Sequence, residues 1–505
     1  MSDVKLSRRR KLMLNISFSV GYQLLAVICG FILPRYLLLY FGSDVNGLVA
    51  SIKQFLSIIS LAEAGIAVVI QASMFGPLAE HDDEELSRIV VSSDRFYHRL
   101  GWAFAAYAVL LALAYPYLAL ESFGYVYIAS LVLILGINTF AQYYFCLTYR
   151  ILLNADQLTF VQVSFSAVTL VLNTAGSVAL MIAGAGVHMV MLLGTVLFMV
   201  QPIGMHFFVK RYYHLDRKVE LHGEPIKQKW SGLAQHVAFY ITQNTDVVVL
   251  TVFTNLATVS VYAVYSLVAN GLKGFLSAGT VGFDALWGDM YAKRQMDLLQ
   301  RAFAFSEWYV HTLVTFAYVC CGFLIVPFVG VYTTSINDAD YYAPLFAMFL
   351  VAAQFFLCLR WPYADVVRAA GRFKETQMGS FVEAGLNIGL SVLLVWQYGL
   401  VGVAVGTLVA MFYRTADYVL YLSRHIIHRP VHYYIRYLAT DALAVGLVYF
   451  ILHGYNIEVN DYWSWCWQAG YVMLVTALSI LVVNILFYRQ FCWQVWHKVL
   501  QRLGR

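Results

Sequence analysis

Long apolar runs separated by short polar segments set the pattern of this sequence. Each run holds about 20 predominantly apolar residues, the length that an α-helix needs to cross the hydrocarbon core of a bilayer. We therefore predict an all-α integral membrane protein with about 14 transmembrane helices. The predicted helices are 12–41, 46–76, 101–120, 125–149, 158–183, 187–209, 232–253, 258–287, 305–330, 341–367, 377–397, 399–422, 436–453 and 465–488.

Basic residues concentrate in alternate connecting segments. Because short cytoplasmic loops carry an excess of Lys and Arg, placing the cluster at 8–11 in the cytoplasm puts the other basic loops there too. The loops at 333–342 and 453–462, predicted to lie outside, contain Asp and Glu but no Lys or Arg. Both termini are thus predicted to be cytoplasmic. The first apolar run is followed by no small-residue cleavage site, so we expect a retained helix rather than a signal peptide.

The composition agrees with a membrane protein and excludes several classes of function. Only 12% of the residues are charged, about half the share found in soluble domains. The seven cysteines are scattered and form no C-x-x-C pair, which predicts neither a zinc site nor a disulfide framework. No P-loop motif is present, so ATP hydrolysis by this chain is not expected. We expect no cofactor, no metal site and no nucleic-acid partner.

The second half of the sequence repeats the first. AQYYFCL at 141–147 matches AQFFLCL at 353–359, and LNTAGSVAL at 172–180 matches LNIGLSVLL at 386–394. Gly194-Thr195 matches Gly406-Thr407. LAEHDDEELSR at 78–88 matches YAKRQMDLLQR at 291–301. The shift carries the first predicted helix onto the seventh, an even number of spans, so the repeats are parallel and related by an axis along the membrane normal.

This repeat gives a predicted domain organisation. The segments are an N-lobe at 1–209, a basic cytoplasmic linker at 210–231, a C-lobe at 232–422, a second cytoplasmic linker at 423–435, and two further helices with a basic tail at 436–505.

The stretch 31–88 resembles the opening signature of the polysaccharide biosynthesis (oligosaccharide flippase) family. That signature has a Pro near the end of the first helix, then Leu-Gly-x-x-x-x-Gly and a Gly-hydrophobic pair in the second helix. The matching residues are Pro34, Phe41-Gly42, Gly47 and Gly65-Ile66, with Phe41 in place of the usual Leu. The resemblance implies the multidrug/oligosaccharidyl-lipid/polysaccharide exporter superfamily, with a V-shaped, MATE-like pair of six-helix lobes that works by alternating access. The two extra C-terminal helices are similar to those of lipid-linked precursor flippases.

Basic residues inside the predicted spans are candidate substrate contacts, because a charge in lipid costs roughly 2.5–3.5 kcal/mol on insertion scales. The substrate implied by the resemblance carries a pyrophosphate, whose charge Arg and Lys would offset. The candidates are Lys53, Lys273, Arg360, Arg35 and Arg414. Arg35 would equally well snorkel to the outer interface, and Arg414 is expected to pair with Asp417 three residues later.

The most polar run in any predicted span is Thr242 to Asp246. Gln243 and Asn244 would suit the hydroxyl groups of a sugar, although such residues also hold helices together by hydrogen bonds. Asp246 and Glu63 are the candidate carboxylates for coupling to protons or sodium ions. Whether the protein uses an ion gradient is left open.

These observations favour a flippase that moves an undecaprenyl-pyrophosphate-linked oligosaccharide across a bacterial inner membrane for cell-surface polysaccharide such as O-antigen. Membrane lipids, a polysaccharide polymerase and other assembly proteins are its expected partners. The alternatives are a drug/cation antiporter of the same superfamily and, with less support, a membrane polysaccharide polymerase or ligase. An enzyme is not favoured, because the outer loops reach only about a dozen residues under this assignment of spans.

Overall fold

The computed structural model describes residues 8–58, 64–119, 122–217, 219, 244–278, 283–455 and 459–503. All regular structure in these ranges is helical. The helices of the first half are α1 Arg8–Ser57, α2 Ala64–Glu80, α3 Asp83–Ala114, α4 Tyr125–Ala141, α5 Leu147–Ala155, α6 Thr159–Ile182, α7 Val187–Phe198 and α8 Val200–Tyr212. A π-helical segment, Gln142–Cys146, joins α4 to α5.

The helices of the second half follow the same pattern and end with three additional helices. They are α9 Asn244–Phe253, α10 Leu256–Ala278, α11 Phe283–Ala292, α12 Met296–Tyr332, α13 Pro344–Leu359, α14 Trp361–Ala369, α15 Phe373–His425, α16 His432–Leu452, α17 Tyr462–Phe487 and α18 Arg489–Leu503. Of these, α18 was not among the predicted helices.

The described helices include those of a multi-pass membrane protein. Eleven helices, some of them continuing across a short break, are long and apolar enough to cross a membrane. Two of them contain a glycine with non-helical backbone angles, Gly42 in α1 (φ 82°) and Gly399 in α15 (φ 51°). A residue with positive φ interrupts an α-helix, and glycine adopts positive φ without steric cost. Gly42 and Gly399 therefore each divide their helix into two segments. The shorter α9 is also apolar, and the predicted all-α membrane fold is confirmed.

Two predicted helices begin earlier than expected. The helix predicted at 101–120 begins at Asp83, where the Asp82 side chain accepts a hydrogen bond from the backbone N–H of Glu85. The helix predicted at 305–330 begins at Met296. In both cases the first turns of the helix are polar, so a prediction based on runs of apolar residues places the start too late. The two starts lie at equivalent places in the matched segments 78–88 and 291–301, as a structural repeat requires.

The chain divides into two compact units. Unit 1 comprises Met1–Tyr240 and Asn255–Ser260, and unit 2 comprises Ile241–Thr254 and Val261–Arg505. Most of the predicted linker 210–231 lies outside the described residues, so the predicted lobe boundaries stay a prediction. The core of unit 1 is formed by fully buried apolar side chains, among them Leu48, Ile52 and Phe104. In unit 2, α16 and α17 pack against α12 through residues such as Val448 and Val472.

Helix α15 is a helical hairpin that turns at Gly399. Its two halves contact each other in antiparallel order, because Leu394 lies against Gly402, Ser391 against Gly406 and Asn387 against Thr407. The absence of a side chain at Gly402 and Gly406 allows this close approach, as in other membrane helix pairs with small residues four apart.

The equivalent elements of unit 1 form the same hairpin. Helices α6 and α7 are joined through Gly184, which also has positive φ, and Asn173 on α6 lies against Gly194 on α7. Asn173 and Gly194 are the residues that the sequence repeat matches to Asn387 and Gly406. The repeat therefore preserves the turn and the glycine at the contact, but in unit 2 Ser391 rather than Asn387 lies against Gly406.

Replacing Gly402 with alanine is expected to destabilise unit 2. The new Cβ would lie 2.4 Å from the carbonyl oxygen of Leu394, so the halves of α15 must move apart. Overpacking of this kind costs about 1–3 kcal/mol. The measurement is the midpoint of thermal unfolding in detergent. Gly385→Ala on the same helix is the control, because its Cβ would meet nothing within 4 Å. Equal midpoints for the two variants would contradict the close packing described here.

Candidate functional site

The structure places the predicted site residues in different surroundings. Gln243 and Glu63 lie outside the described residues. Arg35 and Lys53 belong to α1 in unit 1, where Arg35 is half-buried and Lys53 is exposed. The remaining candidates belong to unit 2: Asn244 and Asp246 begin α9, Lys273 lies on α10, Arg360 joins α13 to α14, and Arg414 lies in the second half of α15.

Arg360 and Arg414 are brought together by a carboxylate that the sequence analysis did not select. Arg360 donates a hydrogen bond of 2.6 Å from Nη1 to Oε1 of Glu383, and Nε of Arg414 lies 3.6 Å from Oε2 of the same residue. The side chains of all three are at least 93% buried. A charge in such surroundings is tolerated when it is paired. Glu383 therefore holds both arginines in place.

Arg414 also has a full set of further partners. It forms the ion pair with Asp417 that the spacing predicts, and Nη2 donates to Ser380 Oγ at 2.7 Å and to the Tyr418 hydroxyl at 2.9 Å. Gly379 makes room for the pair, because a Cβ there would lie 2.1 Å from an Asp417 oxygen. These contacts favour a structural role for Arg414.

The two candidate lysines differ from the arginines in having no partner. Among the described residues, neither Lys53 nor Lys273 forms an ion pair or a hydrogen bond. Lys273 is half-buried. Glu383 compensates Arg360, whereas no described carboxylate pairs with Lys273. Of the cations predicted for unit 2, Lys273 is thus the one without an acidic partner among the described residues.

Asp246 is the centre of a buried cluster of oxygen atoms. The Thr407 hydroxyl lies 2.9 Å from both carboxylate oxygens, Tyr262 donates to Oδ2 at 3.0 Å, and Asn387 Nδ2 lies 3.4 Å from Oδ1. The Oδ1 atom of Asn387 is buried without a hydrogen-bond partner. Ser391, one turn from Asn387, donates to the backbone carbonyl of Val403 at 3.4 Å. Carboxylate, amide, hydroxyl and carbonyl oxygens are the ligands that hard cations take.

Unit 1 contains a neutral version of both clusters. Gln201 donates to Ser166 at 2.9 Å, as Arg414 donates to Ser380 in unit 2, and the sequence repeat matches these pairs to within a residue. Thr148 and Thr169 stand at the positions equivalent to Arg360 and Glu383 and are buried. The position equivalent to Asp246 falls within the stretch Ile32 to Pro34, which carries no acid. The charged clusters are thus specific to unit 2.

Two further buried networks in unit 2 were missed by the sequence analysis. Glu307 on α12 accepts hydrogen bonds from Tyr363 and Arg429. His311 contacts Asp441 at 2.6 Å and thereby joins α12 to α16. The presence of Glu307 and Asp441 inside predicted spans was the signal that would have selected them, by the same reasoning that selected Arg360.

Removing the partner of Glu383 is expected to destabilise the protein. Arg360→Met leaves a buried carboxylate with only the longer contact to Arg414, which should cost about 3–5 kcal/mol. The double variant Arg360→Met/Glu383→Met should recover most of this loss, because two apolar side chains need no partner. Thermal unfolding in detergent measures both effects. An unchanged midpoint for Arg360→Met would show that the pair does not hold α13, α14 and α15 together.

Comparisons with known proteins give matches by structure but not by sequence. No protein-family model and no curated protein matches this sequence. Among solved structures, the chain is similar to the lipid II flippase MurJ in an inward closed conformation, with a TM-score of 0.72 and 13% identity. That match covers 95% of this chain and 100% of the flippase.

The chain is also similar to multidrug transporters. An inward-facing MATE family transporter of the MOP superfamily matches with a TM-score of 0.55 and 16% identity, covering 82% of this chain and 98% of the transporter. The Vibrio cholerae MATE transporter VcmN matches with a TM-score of 0.54 and 14% identity, covering 83% and 99%. At 13–16% identity, these likenesses show the fold of the chain and single out no family. The chain is a multi-pass membrane protein with the fold shared by MurJ and the MATE transporters.

Proposed function

We propose that this protein is a flippase for a lipid-linked oligosaccharide whose headgroup carries a pyrophosphate. The observation that carries the proposal is the pair of partnerless lysines, Lys53 and Lys273, on a fold shared with a lipid II flippase. An ammonium group inside a membrane span is costly unless a ligand or water compensates it. A pyrophosphate supplies that compensation while it is bound, and Lys offers it a compact, strongly hydrated charge.

The extent of the structural matches supports a lipid substrate. The MurJ match covers 95% of this chain and the MATE matches cover 82–83%. This difference in coverage corresponds to about as many residues as α16, α17 and the loop between them contain. In the described structure these helices are an integral part of unit 2, since His311 and Trp308 on α12 contact Asp441 and Asn484. We infer an undecaprenyl-pyrophosphate carrier, the bacterial inner membrane and a role in surface polysaccharide, as the resemblance of the sequence implies.

We infer further that Asp246 couples transport to a cation. Its cluster offers oxygen atoms from a carboxylate, an amide, two hydroxyl groups and a backbone carbonyl, which suits sodium better than a single carboxylate would. Hydrogen bonds of this cluster join α9 to both halves of α15 and join the two halves to each other. A cation bound here would change the contacts between these helices, and such differential contacts are what coupling requires.

The drug/cation antiporter remains the second candidate, because the acidic Asp246 cluster would serve it equally well. The lysines distinguish the two functions. A cationic drug gains nothing from Lys53 and Lys273, whereas an anionic headgroup depends on them.

Replacing either lysine with alanine is expected to slow flipping without loss of protein. In cells that lack the protein, wild type should restore lipid-linked oligosaccharide to the outer leaflet. Lys53→Ala and Lys273→Ala should each reduce this transport about tenfold or more, since hydrogen bonds to charged groups contribute about 1.5–3 kcal/mol. Lys374→Ala is the control, because Lys374 is exposed in the first turn of α15. Full rescue by both variants would reject a role of the lysines in transport, and lost drug tolerance with normal lipid-linked sugar would favour the antiporter.

Asp246→Asn is expected to remove a response to sodium. Sodium chloride should raise the unfolding midpoint of wild type above its value in choline chloride. At a sodium concentration 100 times the dissociation constant, binding adds about 2.7 kcal/mol to the free energy of unfolding. The Asn variant should show no such rise. Asp441→Asn, a buried carboxylate of the same unit that pairs with His311, is the matched control and should keep it. A rise that persists in Asp246→Asn would contradict the assignment.

A further inference from the structure

A basic cavity lies at one end of the C-terminal helices of unit 2. It has a volume of about 740 Å³ and is lined by four arginines: Arg301 on α12, Arg429 in the loop after α15, Arg436 on α16 and Arg489 at the start of α18. No acidic side chain is among its lining residues, all of which belong to the described part of the chain. The cavity therefore has a single sign of charge.

Most of this positive charge is uncompensated. Arg429 pairs with the buried Glu307 and so contributes little. Arg436 donates to the backbone carbonyl of Phe487 at 2.9 Å and packs on the Tyr488 ring, contacts that fix its position but leave its charge. Among the described residues, Arg301 and Arg489 form no ion pair. The first residues of α18 also line the cavity, and the dipole of this 15-residue helix favours an anion at that end.

The position of the cavity indicates a ligand at the membrane surface. It lies where α12 and α16 begin and where α17 ends, and all three helices are long and apolar enough to span the bilayer. The ends of such helices lie at the level of lipid headgroups. Leu486 and Phe487 border the cavity and are 70% and 42% exposed, which gives acyl chains an apolar surface next to the arginines.

We propose that this cavity binds the phosphate groups of an anionic phospholipid. Arginine matches phosphate with a bidentate fork, and basic pockets between membrane helices bind such headgroups. Three uncompensated arginines balance a headgroup with two phosphates better than one with a single phosphate. The preferred ligand is thus cardiolipin rather than phosphatidylglycerol. Under the orientation predicted from basic loops, the site faces the cytoplasmic leaflet.

The test measures lipid binding to the full-length protein in detergent by native mass spectrometry, with cardiolipin, phosphatidylglycerol and phosphatidylcholine as probes. The variant Arg301→Gln/Arg489→Gln removes two charges and leaves the structural contacts of Arg436 intact. Cardiolipin binding should weaken roughly 30-fold, because each arginine near an anionic surface contributes about a fivefold gain. The control Arg294→Gln/Arg424→Gln removes two exposed arginines of the same unit that do not line the cavity, and should bind as wild type.

Three outcomes would overturn the proposal. Equal loss of cardiolipin in both double variants would show a general effect of charge rather than a site. Equal binding of cardiolipin and phosphatidylcholine would exclude phosphate recognition by the arginines. Displacement of the bound lipid by millimolar inorganic phosphate would assign the cavity to a soluble phosphate compound. The unfolding midpoints of the two double variants are measured alongside and must be equal for the comparison. Equal midpoints are expected, because the four replaced arginines are exposed.

Discussion

The second half of this protein depends on one carboxylate buried between two arginines. Glu383 lies in the first half of α15, Arg360 at the junction of α13 and α14, and Arg414 in the second half of α15. An apolar surrounding makes an unpaired charge expensive, so the three side chains are stable only together. Because the pairing requires fixed distances, it also fixes the helices that carry it. This arrangement also requires three glycines: Gly399 forms the hairpin turn, and Gly379 and Gly402 leave space that a side chain would fill.

The internal repeat shows which features belong to the fold and which were added to one half. Both units close a hairpin against a glycine of its second helix: Asn173 lies against Gly194 in unit 1, and Ser391 lies against Gly406 in unit 2. In both units a serine of the first helix also accepts a hydrogen bond, Ser166 from Gln201 in unit 1 and Ser380 from Arg414 in unit 2. Unit 1 does so with neutral residues, which proves that the hairpin needs no charge. The charges in unit 2 therefore require a reason beyond packing. At the position equivalent to Asp246, unit 1 carries no acid and so avoids the cost of burying a carboxylate there, whereas under the proposed function the binding of a cation offsets that cost in unit 2.

Much of the fold was predictable from sequence because lipid imposes a simple rule. Every spanning segment must be apolar and must satisfy its own backbone, so hydropathy identifies the spans and the repeat relates them. The starts of α3 and α12 were missed because their first turns leave the apolar region, and hydropathy carries no information there. The candidate site was predicted less completely. Sequence identifies a charge in a span but seldom its partner, so Arg360 was grouped with Lys53 and Lys273 although Glu383 pairs with it; only the Arg414–Asp417 pair was visible from its spacing. Glu307 and Asp441 were equally visible as charges, but only the tertiary structure shows that Arg429 and His311 meet them.

Pairing is thus the property that separates structural from functional charges in this protein. A paired charge cannot release its partner without a cost of several kcal/mol, so it holds together the helices that carry it. A partnerless charge has the opposite property, since it binds a ligand of opposite sign without first breaking an internal contact. Lys53 and Lys273 within the spans, and Arg301 and Arg489 at their ends, belong to this second class. A lipid with a phosphate-bearing headgroup presents negative charge at both depths, at the surface where it resides and in the span when it is carried across. A protein that binds and transports such lipids requires partnerless cations at both depths. An antiporter for cationic drugs would gain from the cations at neither depth.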